Sequence, residues 1–197
     1  MTKRLFDLFF SLLGLILLSP LFLIIGLLII LESKGGIFYK QVRVGKGGKD
    51  FYLYKFRTMR PNADKLGLLT VGGRDPRVTR IGYYLRKYKL DELPQLVNVL
   101  KGDMSFVGPR PEVRKYVMLY NDEQLQVLKV KPGITDYASI QYSNENELLA
   151  QSENPEETYI KTIMPHKLAL NMQYIKNPSV LHDIKLIFLT LKKIFVS

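Results

Sequence analysis

A chain of 197 residues has room for one domain with a real hydrophobic core and a modest appendage. Lys plus Arg number 29 against 18 Asp plus Glu, a formal charge of +11, which points to anionic partners: nucleic acid, phosphorylated small molecules or an acidic membrane surface. Zero cysteines exclude disulfides and thiolate metal sites, and the two histidines, His166 and His182, stand far apart and read as ordinary helix-face residues.

The amino terminus is not globular. From Phe9 to Leu31 the run "FFSLLGLILLSPLFLIIGLLIIL" carries no charge, and a straight helix of that length reaches roughly 34 Å, about one hydrocarbon core. Glu32-Ser33-Lys34 follow it in place of a small-residue cleavage site, so residues 1–33 read as a retained anchor and 34–197 as the remaining domain. Pro20 has no amide hydrogen and its ring crowds the Ile16 carbonyl, which predicts a kink at Ser19-Pro20. The Ser19 hydroxyl is a candidate partner for a backbone group freed there. A kinked span and a hairpin that enters and leaves on one face both fit. Base rates favour the span. Charge favours the hairpin, because Lys3 and Arg4 precede the segment, Lys34, Lys40, Arg43 and Lys46 follow it, and basic flanks prefer the cytoplasmic side.

"IFYKQVRVGKGGKDFYLYKFRTM" then reads as two β-rich runs joined by a glycine-rich turn. GKGGK lacks the spacing and the following Ser or Thr of a phosphate-binding P-loop. Lys55 and Arg57, two apart on the second run, are predicted to share a face, as solvated surface or as a phosphate clamp. Residues 61–77 read as loop, and "TRIGYYLRKYK" from Thr79 as a short basic helix. Leu93, Leu96, Val97 and Leu100 follow helical spacing up to the stop signal Lys101-Gly102.

Pro94 belongs in a first helical turn, so that helix is expected to begin near Asp91. Asp91 and Glu92 then lie at its positive end, as an N-cap and a first-turn acid or as groups placed for chemistry on phosphates. In the following loop, Gly108-Pro109-Arg110-Pro111, two prolines hold Arg110, whose guanidinium can bind a phosphate bidentately. Beyond it, "KPGITDYASI" suggests a turn entering a strand, and residues 144–157 an acidic surface excursion. "YIKTIMPHKLALNMQYIKN" is helix-like with a break at Pro165. The tail places Val180, Ile184, Ile187, Leu191 and Ile194 on one stripe, which either caps the core or lies on a membrane.

An apolar segment broken by Ser-Pro, then "YKFRTM", "RDPRVTRIG", "LDELPQLVNVLKGDMSFVGPRPE" and "KPGIT" occur in that order. The series resembles the bacterial sugar transferases, the monotopic phosphoglycosyl transferases that start membrane-bound glycan assembly, in their minimal form. The resemblance implies an α+β fold, mainly helical with a β-hairpin, carrying amphipathic interfacial helices. Its anchor would be a re-entrant membrane helix broken at Ser19-Pro20, with 34–197 a catalytic domain on the cytoplasmic face of the inner membrane. It implies transfer of a sugar 1-phosphate from a UDP-sugar to polyprenyl (undecaprenyl) phosphate with release of UMP, dependent on Mg2+. Asp91 matches the nucleophile that forms a phosphosugar-aspartyl intermediate, and Glu92 its partner in placing the metal. Lys55, Arg57 and Arg110 match phosphate-holding positions. Membrane lipid is an expected partner and nucleic acid is not; a homodimer stays open. Many relatives follow the Pro-Gly-Ile-Thr turn with Gly-Trp and a downstream Gly-Arg. Here Asp136 and Tyr137 stand instead, either altering sugar choice or packing.

Three other readings stand beside it. A membrane-anchored nucleic-acid binder would use the +11 charge, although no nucleic-acid module is recognisable. A scaffold would use the two membrane elements alone, and a phosphatase would release inorganic phosphate through Asp91.

Overall fold

The computed structural model describes residues 2–63, 67, 69–72, 75–176 and 178–196. It is mainly helical with two small two-stranded sheets. The chain opens with α1 (Thr2–Leu17) and α2 (Ser19–Glu32), bent by 59° at the intervening residue. Pro20 occupies the first turn of α2, and the Ser19 hydroxyl donates to the Ile16 carbonyl at 2.8 Å, replacing the bond that proline removes. Among the described residues no single helix is long and apolar enough to cross a membrane; the bent pair together is, by length and composition.

Both ends of this pair are tied to the rest of the chain by polar groups. At the start of α1, Arg4 donates to the Val99 and Leu100 carbonyls at 2.6 and 2.9 Å, capping the end of a later helix. One turn on, the buried Asp7 accepts from the Ser105 hydroxyl and the Phe106 amide at 3.0 and 3.2 Å. Lys3 pairs with Asp183 near the carboxyl terminus. At the far end, Glu32 accepts from the Arg80 and Ile81 amides at 2.6 and 2.9 Å. Between these ties, Phe9, Ile16, Leu17, Leu23, Leu27 and Leu31 are exposed.

The expected hairpin forms from β1 (Phe38–Val44) and β2 (Asp50–Phe56), antiparallel with Phe38 opposite Phe56. Glycine 47, at φ 71°, makes the turn. After it come α3 (Arg80–Lys87), capped by the Thr79 hydroxyl accepting from the Gly82 amide, and α4 (Gln95–Lys101). The expected loop at 61–77 lies partly outside the described residues. Within it, Arg77 donates to the Asp75 carboxylate and to the carbonyls of Gly67 and Leu69, so the Asp75–Arg77 pair ties these loop residues together.

Two three-residue strands follow, β3 (Ser105–Val107) and β4 (Gly133–Thr135), paired in parallel with α5 (Arg114–Val117) between them. The strand after Pro132-Gly133 was legible; its partner at 105–107 was too short to show a period. Next come α6 (Tyr137–Gln141), α7 (Glu145–Ala150) and α8 (Pro155–Thr158). Residues 144–157 are therefore not a bare surface excursion: Leu149 of α7 enters the main core with Val127, Tyr159, Ile163 and Leu168. A wide turn over Tyr159–Ile163 leads into α9 (Met164–Lys176), with Pro165 in its first turn.

The final helix, α10 (Val180–Val196), divides its apolar residues differently from the expected single stripe. Leu186 and Asp183 face the core, whereas Leu181, Ile184, Phe188 and Leu191 are exposed beside Lys185 and Lys192. The helix thus caps the core along one side, where burying Leu186 is worth about 2 kcal/mol. A second apolar side remains open.

Candidate active site

Three segments from distant parts of the sequence meet around Asp91 and Glu92. The acids do not begin a helix as expected. They sit in a tight 3-10 turn, Leu90–Glu92, placed by Lys89 in the left-handed conformation at φ 56°, and α4 starts only after Pro94. Neither acid is an N-cap, and no hydrogen bond among the described residues ends on the Asp91 carboxylate. Capping therefore does not explain why Asp91 is 6% exposed.

The second segment is β2. Its outer edge is paired by a side chain: Asn98 of α4, fully buried, donates to the Tyr52 carbonyl at 2.7 Å and accepts from the Tyr54 amide at 3.0 Å. This bidentate grip sets α4 against β2 and brings Lys55, the next residue along, to the acid turn. Lys55 Nζ donates to Glu92 Oε1 at 2.8 Å and lies 3.9 Å from Asp91 Oδ2.

The third segment is the Pro-Arg-Pro loop. A Cβ on Gly133 would fall 2.1 Å from the Gly108 nitrogen, so only glycine lets the two chains cross this closely. The loop is fixed on its other side by Glu112, whose carbonyl accepts from the Val44 amide at 2.9 Å and whose carboxylate is held by Arg43 and Tyr159. Arg110 then reaches Glu92 with both terminal nitrogens, one of them at 3.2 Å.

The acids differ sharply in environment. Burial pushes the Asp91 carboxyl above its ordinary value, with Lys55 only partly opposing it. For Glu92 burial acts the same way, but the Arg110 and Lys55 cations outweigh it and hold that carboxyl well below the usual range. Burial lowers Lys55, against the pull of Glu92 and Asp91, while the Glu92 charge raises Arg110. The outcome is one carboxylate fully engaged by cations and one with free lone pairs.

Arg57 does not join this cluster. Its guanidinium donates to the Ser33 and Gly36 carbonyls at 2.8 and 2.6 Å and to the Ser33 hydroxyl at 2.9 Å, closing the chain that leaves α2. Lys55 lies within β2 and Arg57 just past its end at Phe56, and the two reach different neighbours. A different arginine takes part instead. Arg86 of α3 donates to the Thr58 and Thr70 hydroxyls at 2.9 and 3.1 Å, and its charge acts on Asp91. In the sequence Arg86 is one cation of a short basic helix. The available signal was its place five residues before Asp91, which the left-handed turn at Lys89 folds back.

His166 and His182 lie on α9 and α10; His166 bonds the Tyr142 hydroxyl at 2.7 Å. Among the described residues no three His, Asp, Glu or Cys side chains form a metal-binding group. Asp136 is buried at the start of α6, and Tyr137 packs edge-on against the His182 ring with centroids 6.4 Å apart.

The bacterial sugar transferase family matches residues 1–197. The uncharacterized sugar transferase EpsL of Bacillus subtilis is 40% identical over 99% of this chain and 88% of its own length. The UDP-N-acetylgalactosamine-undecaprenyl-phosphate N-acetylgalactosaminephosphotransferase of Aeromonas hydrophila is 38% identical over 98% of this chain, which spans 43% of that protein. The UDP-glucose:undecaprenyl-phosphate glucose-1-phosphate transferase of Escherichia coli K12 is 36% identical over 99% of the chain, which spans 40% of it. With its acid turn, its Pro-Arg-Pro loop and a match along its full length, the chain belongs to the bacterial sugar transferase family.

Proposed function

We propose that this protein transfers a sugar 1-phosphate from a UDP-sugar to polyprenyl phosphate through a covalent intermediate on Asp91. The observation that carries the proposal is the Asp91 carboxylate, 6% exposed and without a hydrogen bond, 3.9 Å from Lys55 and under the charge of Arg86, next to the Glu92 that Arg110 holds. The names of the Aeromonas and Escherichia relatives support the donor and acceptor classes.

An Asp91 oxygen attacks the phosphorus that bears the sugar, and the bond from that phosphorus to the bridging oxygen breaks. UMP leaves with the bonding pair. An oxygen of polyprenyl phosphate then attacks the same phosphorus and Asp91 departs as carboxylate. No base is needed to activate an ionised carboxylate, and the thin hydration behind its raised pKa leaves little solvent to strip away. Arg110 and Lys55 hold the charge of the transferring group, and Glu92 keeps both cations aimed.

The free lone pairs of Asp91 suit Mg2+, which takes one or two carboxylates plus substrate oxygens; Asp91 would hold it, with Glu92 beside it. Bound there, it would neutralise charge on the diphosphate. Polar ties at both ends of the α1–α2 pair support a re-entrant hairpin in one leaflet, with the catalytic part on the cytoplasmic face. The open apolar side of α10, flanked by Lys185 and Lys192, suits an interfacial helix on anionic lipid.

The test is UMP release by the purified chain in detergent with Mg2+, polyprenyl phosphate and a panel of UDP-sugars. One or a few donors should turn over, with a transient mass increase of one phosphosugar on the protein. Silence across the panel would remove the transferase reading.

A further inference from the structure

Backbone bonds tie the chain after β3 to β4 beyond their paired residues. Ser105 N donates to the Pro132 carbonyl at 2.9 Å, Gly133 N to Pro109 at 3.0 Å, and Gly108 N to Thr135 at 3.1 Å. In the Pro109-Arg110-Pro111 run, only Arg110 has a backbone N–H. Among the described residues that N–H meets no backbone carbonyl. A side chain accepts from it instead. Asp136 Oδ2 accepts from Arg110 N at 3.0 Å, while Oδ1 accepts from Ser139 N at 2.6 Å and caps α6. The residue is 1% exposed, so water does not substitute for either bond.

We propose that Asp136 is a positioning residue for Arg110: it grips the single backbone donor of the Pro-Arg-Pro run and sets where the guanidinium meets a donor phosphate. Asp136 touches no substrate in this account and acts only through Arg110. The inference rests on the reading of Arg110 as a phosphate-holding group. The role needs two acceptor atoms on one short side chain. Glycine has none, serine keeps the helix cap alone, and asparagine turns an NH2 toward one of the two donors. Asp136 thus links the phosphate loop to the start of α6, the segment where this chain departs from the Gly-Trp pattern.

The experiment is calorimetric titration of UDP, with Mg2+, into the purified full chain in detergent micelles. Four proteins are compared: the parent, Asp136→Ser, Arg110→Ala and the double variant. Asp136→Ser should weaken UDP binding about tenfold while its thermal midpoint stays near the parent's, because serine retains the cap. The double variant should bind no more weakly than Arg110→Ala. Should Asp136→Ser unfold, the isosteric Asp136→Asn is read in its place, with the same loss expected. Parent-like UDP binding in the Asp136 variant, or additive losses in the double variant, overturns the inference alone. Parent-like binding in Arg110→Ala, or no binding by the parent, removes the phosphate reading of Arg110 and this inference with it.

Discussion

Lys55 Nζ bonds Glu92 at 2.8 Å yet stands 3.9 Å from Asp91, so one cation serves two adjacent acids unequally. That inequality separates a carboxylate held by two cations from one left without a hydrogen bond within a single turn. Glu92 is neutralised, and Asp91 is buried without a hydrogen bond.

Asp91→Asn should lower turnover by on the order of 10³-fold or more and abolish the covalent adduct in intact mass spectra. The same change should stabilise the fold at neutral pH. Burial raises this carboxyl above 3.8, so between 3.8 and the raised value the folded state binds the extra proton, and stability falls as pH rises through that window. The thermal midpoint of Asp91→Asn should therefore exceed the parent's at pH 7 to 8, with the gap closing toward pH 4. A variant less stable than the parent at neutral pH would show that the charge is welcome where it lies.

Glu92→Gln should behave in the opposite way. It leaves Lys55 and Arg110 facing a neutral group, at a cost of about 3 kcal/mol, near the lower bound for a buried pair because Arg110 is partly exposed. Glu92 is held well below 4.5, so its contribution is complete above 4.5 and disappears as pH falls through the depressed value. Denaturant unfolding at pH 7 should show the loss, and the two proteins should converge in strong acid.

Arg86→Ala should reduce kcat/KM by about ten- to a hundredfold. Arg86→Lys should recover little, because a single ammonium cannot reach the Thr58 and Thr70 hydroxyls and still face Asp91. Steady-state kinetics on an active donor decides it. Full activity in Arg86→Ala would return this residue to ordinary surface chemistry.

A chain without native cysteine is ready for accessibility labelling. Cysteines introduced at Thr2 and Lys34 should react with an impermeant maleimide from the same side of inverted vesicles. Combining Ser19→Ala with Pro20→Ala should shift a fraction of molecules toward opposite-side labelling, as the 59° bend loses its proline and the bond from Ser19 to Ile16. Opposite-side labelling in the parent would establish a spanning helix.

Features confined to a few neighbouring residues were readable from the chain. The break at Pro20 and its Ser19 partner, the hairpin across the glycine-rich turn and the short helix after Thr79 obey rules acting within a few residues, whereas Pro165, expected to break its helix, sits in the first turn of α9. The α10 surface was misjudged because apolar residues occur on more than one side of that helix, and periodicity cannot say which side meets the core. The contacts of Arg86 with Thr58, Asn98 with Tyr52 and Asp136 with the Arg110 backbone carried no local signal, since they join residues 28, 46 and 26 positions apart.

The amino-acid order by itself determined the apolar N-terminal segment and its fault line, the pair of acids ahead of a proline, and a lone arginine stiffened between two more. Those follow from covalent geometry and local sterics. Folding alone decided that Glu92 rather than Asp91 would be neutralised, that Arg57 would bond the chain leaving α2 and Arg86 act on the acids, and that Asp136 would hold the Arg110 backbone. Charge pairing and burial depend on through-space distances between segments that only packing brings together.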